Sequence, residues 1–101
     1  MGLDFAIDLL YGTGWSGSDL LGCEHSPSGR VFPGLRRVER EFADAGHRLR
    51  VRHIAAFDCY RAEWSDASGR AVGGVVGSSE AEAAVYALAT LRRVSMGVAA
   101  S

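Results

Sequence analysis

Six residues in the middle of the chain alternate strictly between arginine and another residue type: Arg48-Leu49-Arg50-Val51-Arg52-His53. In a β-strand successive side chains point to opposite faces, so Leu49, Val51 and His53 fall on one face and the arginines on the other. A strand of this kind suits an antiparallel sheet that is covered on one face and open on the other. The pattern therefore predicts such a sheet, with a row of arginines on its open face.

Helical patterns occur on both sides of this strand. Before it, Pro33 suits a first helical turn and Gly46 a left-handed C-terminal cap, which predicts a helix over residues 33–45. After the sheet region, Ser79-Glu80-Ala81-Glu82 matches a capping box and predicts a second helix over residues 79–93. The apolar stripes of the helices and the strand predict one core: Leu35, Val38, Phe42, Leu49, Val51, Val85, Leu88 and Leu91.

Two further strands are predicted between the helices. The extended composition continues to Trp64 and needs a break near Ala55-Ala56, because a single strand from Arg48 would be too long. Residues 66–69 predict a hairpin loop and residues 71–76 the returning strand, in which Gly73-Gly74 indicates a bulge or the close approach of another backbone. The predicted fold class is α+β: a three-stranded antiparallel sheet with two helices on one face, in the order αβββα over residues 33–93.

The first third of the chain is expected to pack against this core, so that residues 1–101 form a single domain. Asp4 to Tyr11 predicts a short helix, with a strand as the alternative. Six glycines between Gly12 and Gly34 predict a long loop. The loop is expected to be pinned to the body by Trp15, Leu20, Leu21 and Cys23. The tail from residue 94 to 101 is expected to be frayed.

Composition excludes several kinds of chemistry. All 11 basic residues are arginine, so lysine-based Schiff bases, phosphate-loop lysines and Ser-Lys dyads are excluded. Cys23 and Cys59 are too few for a disulfide scaffold and are expected to be free thiols. The N-terminus lacks the basic start of a secretory signal and no stretch is long and apolar enough to span a bilayer, so a cytoplasmic location without membrane contact is expected.

Residues 33–93 resemble the double-stranded RNA-binding domain, which also has the order αβββα and ends in a helix rich in small residues, here Ala81-Glu82-Ala83-Ala84-Val85-Tyr86-Ala87-Leu88. That family opens its last helix with lysines that grip phosphates. The corresponding segment here runs from Ser78 to Glu82 and contains two acids and no basic residue. The resemblance therefore implies the family's fold, whereas acids at a helix N-terminus repel phosphate.

Two other patterns bear on possible sites. Gly12-Thr13-Gly14-Trp15-Ser16-Gly17 has the glycine spacing of a dinucleotide-binding loop, but no βαβ unit or distal acid follows, which favours an ordinary glycine-rich turn. The candidate metal ligands are Cys23, His25, His47, His53 and Cys59, and their spacings match no common zinc signature. No cofactor and no metal are predicted.

The predicted function is that of a small non-enzymatic interaction module that binds a protein partner or a second copy of itself. Two helices leave one sheet face open, and arginines beside apolar side chains are typical of interfaces. The predicted binding residues are Arg48, Arg50, Arg52, Tyr60 and Trp64. One alternative is binding of duplex RNA through the same arginines, or of single strands with stacking on the aromatic side chains. A second alternative is a small enzyme built on Cys59 and His53.

Overall fold

The structure, a computed structural model, describes residues 2–17 and 21–95. Within these ranges the helices are α1 (Leu3–Tyr11), α2 (Leu35–Asp44) and α3 (Glu80–Ser95). The strands are β1 (Cys23–His25), β2 (Val31–Pro33), β3 (Arg48–Ile54), β4 (Cys59–Ser65) and β5 (Ala71–Gly77). The predicted α+β class is confirmed, with sheets of two and three antiparallel strands.

The three-stranded sheet has the order β3-β4-β5. A short 3-10 turn, Ala55–Phe57, joins β3 to β4 where the sequence predicted a break, and Asp58 after it takes a left-handed backbone conformation. The register of β4 with β5 shifts between Trp64 and Ser65, so a bulge is present, but its extra residue is Val72, next to the predicted Gly73-Gly74. At Gly73 the closely approaching group is a side chain and not a backbone. A Cβ on Gly73 would lie 2.4 Å from Cζ2 of Trp64.

Helix α2 begins at Leu35, so the predicted start at Pro33 is wrong. Pro33 lies in β2 and pairs with Cys23, because a proline can close a short edge strand without donating a hydrogen bond. The predicted C-terminal cap is confirmed. Gly46 has a φ of 82°, and the N–H groups of Gly46 and His47 donate to the carbonyls of Ala43 and Phe42, which is a Schellman motif.

Helix α3 lies at the centre of the molecule. It packs against the sheet, α2 and α1, and its alanines allow close approach from several sides. The buried residues of α3 are Glu82, Ala83, Ala84, Val85, Ala87, Leu88, Ala89 and Leu91. The N-cap half of the predicted capping box is confirmed, since the hydroxyl of Ser79 accepts from the N–H of Glu82 at 3.1 Å. Glu82 Oε1 accepts from Ser78 instead of from the N–H of Ser79. The helix continues beyond the predicted end at residue 93 to Ser95, and residues 96–101 of the predicted tail lie outside the described residues.

The N-terminal third confirms the predicted helix α1 and corrects the predicted loop. The loop contains a two-stranded ribbon, β1 paired with β2, whose strands of three residues each carry too little pattern to be recognised. Trp15 is buried as predicted and Cys23 is half-buried, whereas Leu21 is 62% exposed and is held to α2 by its carbonyl, which accepts from Arg37. Leu20 lies outside the described residues.

The predicted core is confirmed. Val38, Phe42, Leu49, Val85, Leu88 and Leu91 are buried in one cluster, and Leu35 and Val51 pack against it half-buried. Helix α1 adds Ala6, Ile7 and Leu10 to the same cluster. On the side of the sheet away from this core, Arg48, Arg50 and Arg52 of β3 and Val76 of β5 are exposed, so none of the described elements covers that side.

Candidate functional site

The uncovered face of the three-stranded sheet, hereafter the open face, carries the arginines of β3. The register pairs Arg48 with Ser65, Arg50 with Glu63 and Arg52 with Arg61, and residues that pair directly share a face. The pairs that alternate with them are Leu49 with Trp64, Val51 with Ala62, and His53 with Tyr60. The latter three pairs lie on the side that faces the helices, hereafter the covered face.

Arg48, Arg50 and Arg52 are all exposed, as the alternating pattern predicted. Alternate residues of a strand are about 7 Å apart, so the three side chains form a straight row about 14 Å long. The row ends near the 3-10 turn, where the ring of Phe57 is 80% exposed.

The neighbouring strand adds charged groups that sequence reasoning missed. Glu63 on β4 accepts from Arg52 Nε at 3.2 Å and lies 3.3 Å from Arg61 Nε. The hydrogen bond from Arg61 and the positive charge of both guanidiniums lower the pKa of Glu63. The signal was present in the sequence Arg61-Ala62-Glu63-Trp64, where charged and apolar residues alternate. In a strand this alternation puts Arg61 and Glu63 on one face, beside the arginine row.

The open face therefore has an excess of positive charge. Four arginines, Arg48, Arg50, Arg52 and Arg61, share it with one acid, Glu63. Among the residues that the structure describes, Arg48 and Arg50 form no ion pair. Val76 of β5 pairs with Arg61 on the same face and is 49% exposed, which gives the face an apolar margin.

Tyr60 and Trp64, the aromatic members of the predicted site, do not join the arginines. Trp64 is only 5% exposed, and its ring packs against that of Phe42 at a centroid distance of 5.4 Å. Tyr60 is half-buried beside His53, with ring centroids 4.8 Å apart. Trp64 pairs with Leu49 and Tyr60 pairs with His53. Both side chains therefore lie on the covered face.

His53 and Cys59 are not brought together. His53 pairs with Tyr60 on the covered face, whereas Cys59 pairs with Ile54 and so belongs to the opposite face. His53 Nε2 instead lies 3.3 Å from Asp58 Oδ1. Cys23 and Cys59 are half-buried and are not joined to each other in a disulfide. Across residues 2–17 and 21–95, no three His, Cys, Asp or Glu side chains are grouped as a metal site would require.

The glycine-rich segment after α1 follows a helix, whereas a dinucleotide loop follows a strand. The hydroxyl of Thr13 donates to the carbonyl of Leu10 at 2.6 Å and accepts from Arg92 Nε at 2.8 Å. The bond from Arg92 fastens the segment to the end of α3. The arrangement is that of a structural turn and supplies no phosphate cradle.

A polar cavity of about 420 Å³ lies beside this turn, between α2 and α3. Its main groups bind each other, since Trp15 Nε1 donates to Glu41 Oε2 at 3.0 Å and Arg37 Nε donates to the same oxygen at 2.8 Å. Arg37 and Glu41 expose only 13% and 20% of their side chains. We name this set, Trp15, Arg37 and Glu41, the latch, because it fastens the segment after α1 to α2.

Comparison with known proteins finds no matching family model, no matching curated protein and no matching solved structure. Among the described helices, none has both the length and the apolar character needed to cross a bilayer. The open face itself is therefore the basis for assigning a function.

Proposed function

We propose that this chain is a small non-enzymatic interaction module whose open face binds an acidic surface of a protein partner. The observation that carries the proposal is the row of three exposed arginines on a sheet face that no described element covers. Charged groups with an apolar margin are the surface that transient protein interfaces use.

Among the described acids only Glu63 pairs with the row, and it does so at Arg52. The first 29 residues contain four acids and no base, yet Asp8 lies 2.6 Å from Arg30 and Asp4 lies 3.9 Å from it. The acids of α1 are therefore paired locally, next to the β1–β2 ribbon. The charge of Arg48 and Arg50 is left for an external group.

Several features favour a protein partner over nucleic acid. Single-strand binders stack bases on exposed aromatic rings, but the rings of Tyr60 and Trp64 face the helices. Glu80 and Glu82 stand in the first turn of α3, where positive charge would be needed to hold phosphate. Glu63 within the open face adds a further repulsive group for a polyanion.

Binding of duplex RNA through Arg48, Arg50 and Arg52 is the alternative. It is supported by the order α2, β3, β4, β5, α3, which we interpret as an αβββα unit similar to the double-stranded RNA-binding domain, with α1 and the β1–β2 ribbon added.

A binding role is also favoured over catalysis, because His53 and Cys59 lie on opposite faces of the sheet.

The test compares two triple variants with the same loss of charge. In the first, Arg48, Arg50 and Arg52 are replaced by Gln; in the control, the exposed Arg36, Arg40 and Arg93 on the helices are replaced by Gln. The probes are a fluorescent peptide of alternating Glu and Val and a fluorescent RNA duplex. We expect the peptide to bind wild type and control alike, and the first variant to bind it at least about tenfold more weakly.

At physiological salt, the affinity of the wild type for the RNA duplex should be no higher than the affinity of the first variant for it. Failure of the wild type to bind the peptide, or equally weakened binding in both variants, would contradict the proposal. Sub-micromolar duplex binding that disappears in the first variant would establish the alternative. In that case the slope of log affinity against log salt should fall by roughly 0.7–0.9 for each phosphate that the variant no longer neutralises.

A further inference from the structure

Strand β3 forms one edge of the three-stranded sheet, and this edge is regular along its whole length. Its residues, Arg48–Ile54, pair with β4 in one continuous register. Among the described strands only β4 pairs with β3, and within the described chain no hydrogen bond outside the sheet involves the β3 backbone. One row of β3 backbone N–H and C=O groups therefore points away from the sheet, as a template for a further strand.

Strand β5, at the other edge, is less suited to pairing. Its register with β4 is interrupted at Val72, the extra residue of the bulge. A bulge bends a strand and disrupts the hydrogen-bond ladder, and Ala71–Gly77 contains no charged side chain that could select a partner. The contrast singles out β3 as the edge that can accept a strand along its whole length.

The side chains of β3 determine which kind of strand fits its edge. Arg48, Arg50 and Arg52 occupy every second position, and a residue directly opposite on an added strand would lie about 5 Å away on the same face. On the β4 side Glu63 is opposite Arg50 but accepts from Arg52. The outer side of β3 is therefore where Arg48 and Arg50 can meet an opposite charge.

A second copy of β3 does not fit this edge. Pairing of two β3 strands with their open faces on the same side would bring the arginines of both copies together, and like charges across a strand pair are destabilising. A strand with carboxylates at every second position instead gives each arginine an opposite charge and a planar group that a guanidinium binds through two hydrogen bonds. The edge thus rejects its own copy and selects an acidic strand.

We propose that the acidic partner of the open face is an extended segment that adds to the sheet as a fourth strand, antiparallel to β3. The inference rests on the proposed function and specifies the partner as a segment with Asp or Glu at three alternate positions, opposite Arg48, Arg50 and Arg52. Its backbone pairs with the β3 edge in the slightly more stable of the two strand directions. In such complexes the main chain provides affinity and the alternate side chains provide specificity.

The intervening side chains of the added strand lie on the covered face. There they are opposite Leu49, Val51 and His53, of which Leu49 is buried, Val51 is half-buried and His53 is exposed. Apolar side chains at these positions extend the covered face and are removed from water beside Val51. The partner segment is therefore expected to alternate acidic with apolar residues.

The first measurement compares two fluorescent peptides of the same composition and charge. One alternates Glu and Val, and the other has all its Glu residues at one end. In an extended strand only the alternating peptide places every Glu on one face. We expect it to bind the wild type at least about tenfold more tightly than the control peptide, since a purely electrostatic contact would not distinguish the two.

The second measurement is amide hydrogen exchange on the wild type with and without the alternating peptide, and it needs no variant. In the free protein only every second β3 amide is bonded to β4, and the amides between them point outward. Strand addition should slow exchange of these outward β3 amides at least about tenfold, while exchange in β5 stays unchanged. A partner that contacts only the arginine side chains would leave the outward amides exchanging as before.

The outcomes separate this inference from the proposed function. Equal affinities of the two peptides would overturn strand addition. So would a peptide that binds, loses affinity when Arg48, Arg50 and Arg52 are replaced by Gln, and leaves the outward β3 amides unprotected, although the proposed function would then stand. A wild type that binds neither peptide would overturn both.

Discussion

At the residue scale, Gly73 explains how Trp64 can lie on the covered face. A Cβ on Gly73 would lie 2.4 Å from Trp64 Cζ2. A Cβ on the adjacent Gly74 would have the flexible end of Arg61 as its nearest neighbour, at 3.0 Å, and would make an ordinary contact with the carbonyl of Ala62 at 3.5 Å. We expect Gly73→Ala to lower the free energy of unfolding by about 1–3 kcal/mol, because the buried indole ring must move.

Gly74→Ala is the matched control, and its free energy of unfolding should stay within about 0.5 kcal/mol of the wild type. Urea denaturation at a concentration where the protein is monomeric provides both values. Equal effects of the two substitutions would show that the ring of Trp64 does not depend on the missing side chain of Gly73.

The position of Trp64 also shows which part of the candidate site could be predicted from the sequence and which could not. The arginine row followed from strict alternation within one strand, and the structure retains it. Assigning Tyr60 and Trp64 to that row required the register between β3 and β4, which depends on how the 3-10 turn ends. A shift of one residue moves a side chain to the other face, so a predicted break of unknown length was enough to misplace both rings.

At the element scale, the latch joins the segment after α1 to α2. Glu41 accepts hydrogen bonds from both Trp15 and Arg37. Glu41→Ala leaves two donors without their acceptor, so we expect the free energy of unfolding to fall by about 1–2 kcal/mol in urea denaturation. Glu39→Ala, on the exposed side of the same helix, should change it by less than about 0.5 kcal/mol. Similar decreases in both variants would show that the latch adds nothing to stability.

Long elements with strong patterns were predictable and short ones were not. The apolar stripes of α2 and α3 predicted that both helices exist. The caps at Gly46 and Ser79 predicted the end of α2 and the start of α3 to within two residues. The β1–β2 ribbon was missed, because strands of three residues among glycines have no measurable period. The proline that closes β2 looked instead like the start of the next helix.

At the scale of the whole molecule, acid should weaken the fold through two carboxyl groups of the β4–β5 hairpin, Glu63 on β4 and Asp66 in the loop. The hydrogen bond from Arg61 is the main cause that lowers the pKa of Glu63 below its ordinary 4.5. Hydrogen bonds from Ser68 and from the backbone N–H of Arg70 lower the pKa of Asp66 below its ordinary 3.8. A carboxyl group with a lowered pKa in the folded state binds fewer protons there than in the unfolded chain.

The stabilisation from these groups is therefore complete above their ordinary pKa values and is lost as the pH falls through the lowered ones. We expect the free energy of unfolding to decrease from about pH 5 toward pH 3, measured by urea denaturation at each pH. The double variant Glu63→Gln, Asp66→Asn should show a shallower decrease, because neither side chain can take up a proton. Glu39→Gln on α2 removes an exposed carboxyl outside the sheet and should leave the slope unchanged. A double variant with the slope of the wild type would show that acid acts on the fold through groups other than this pair.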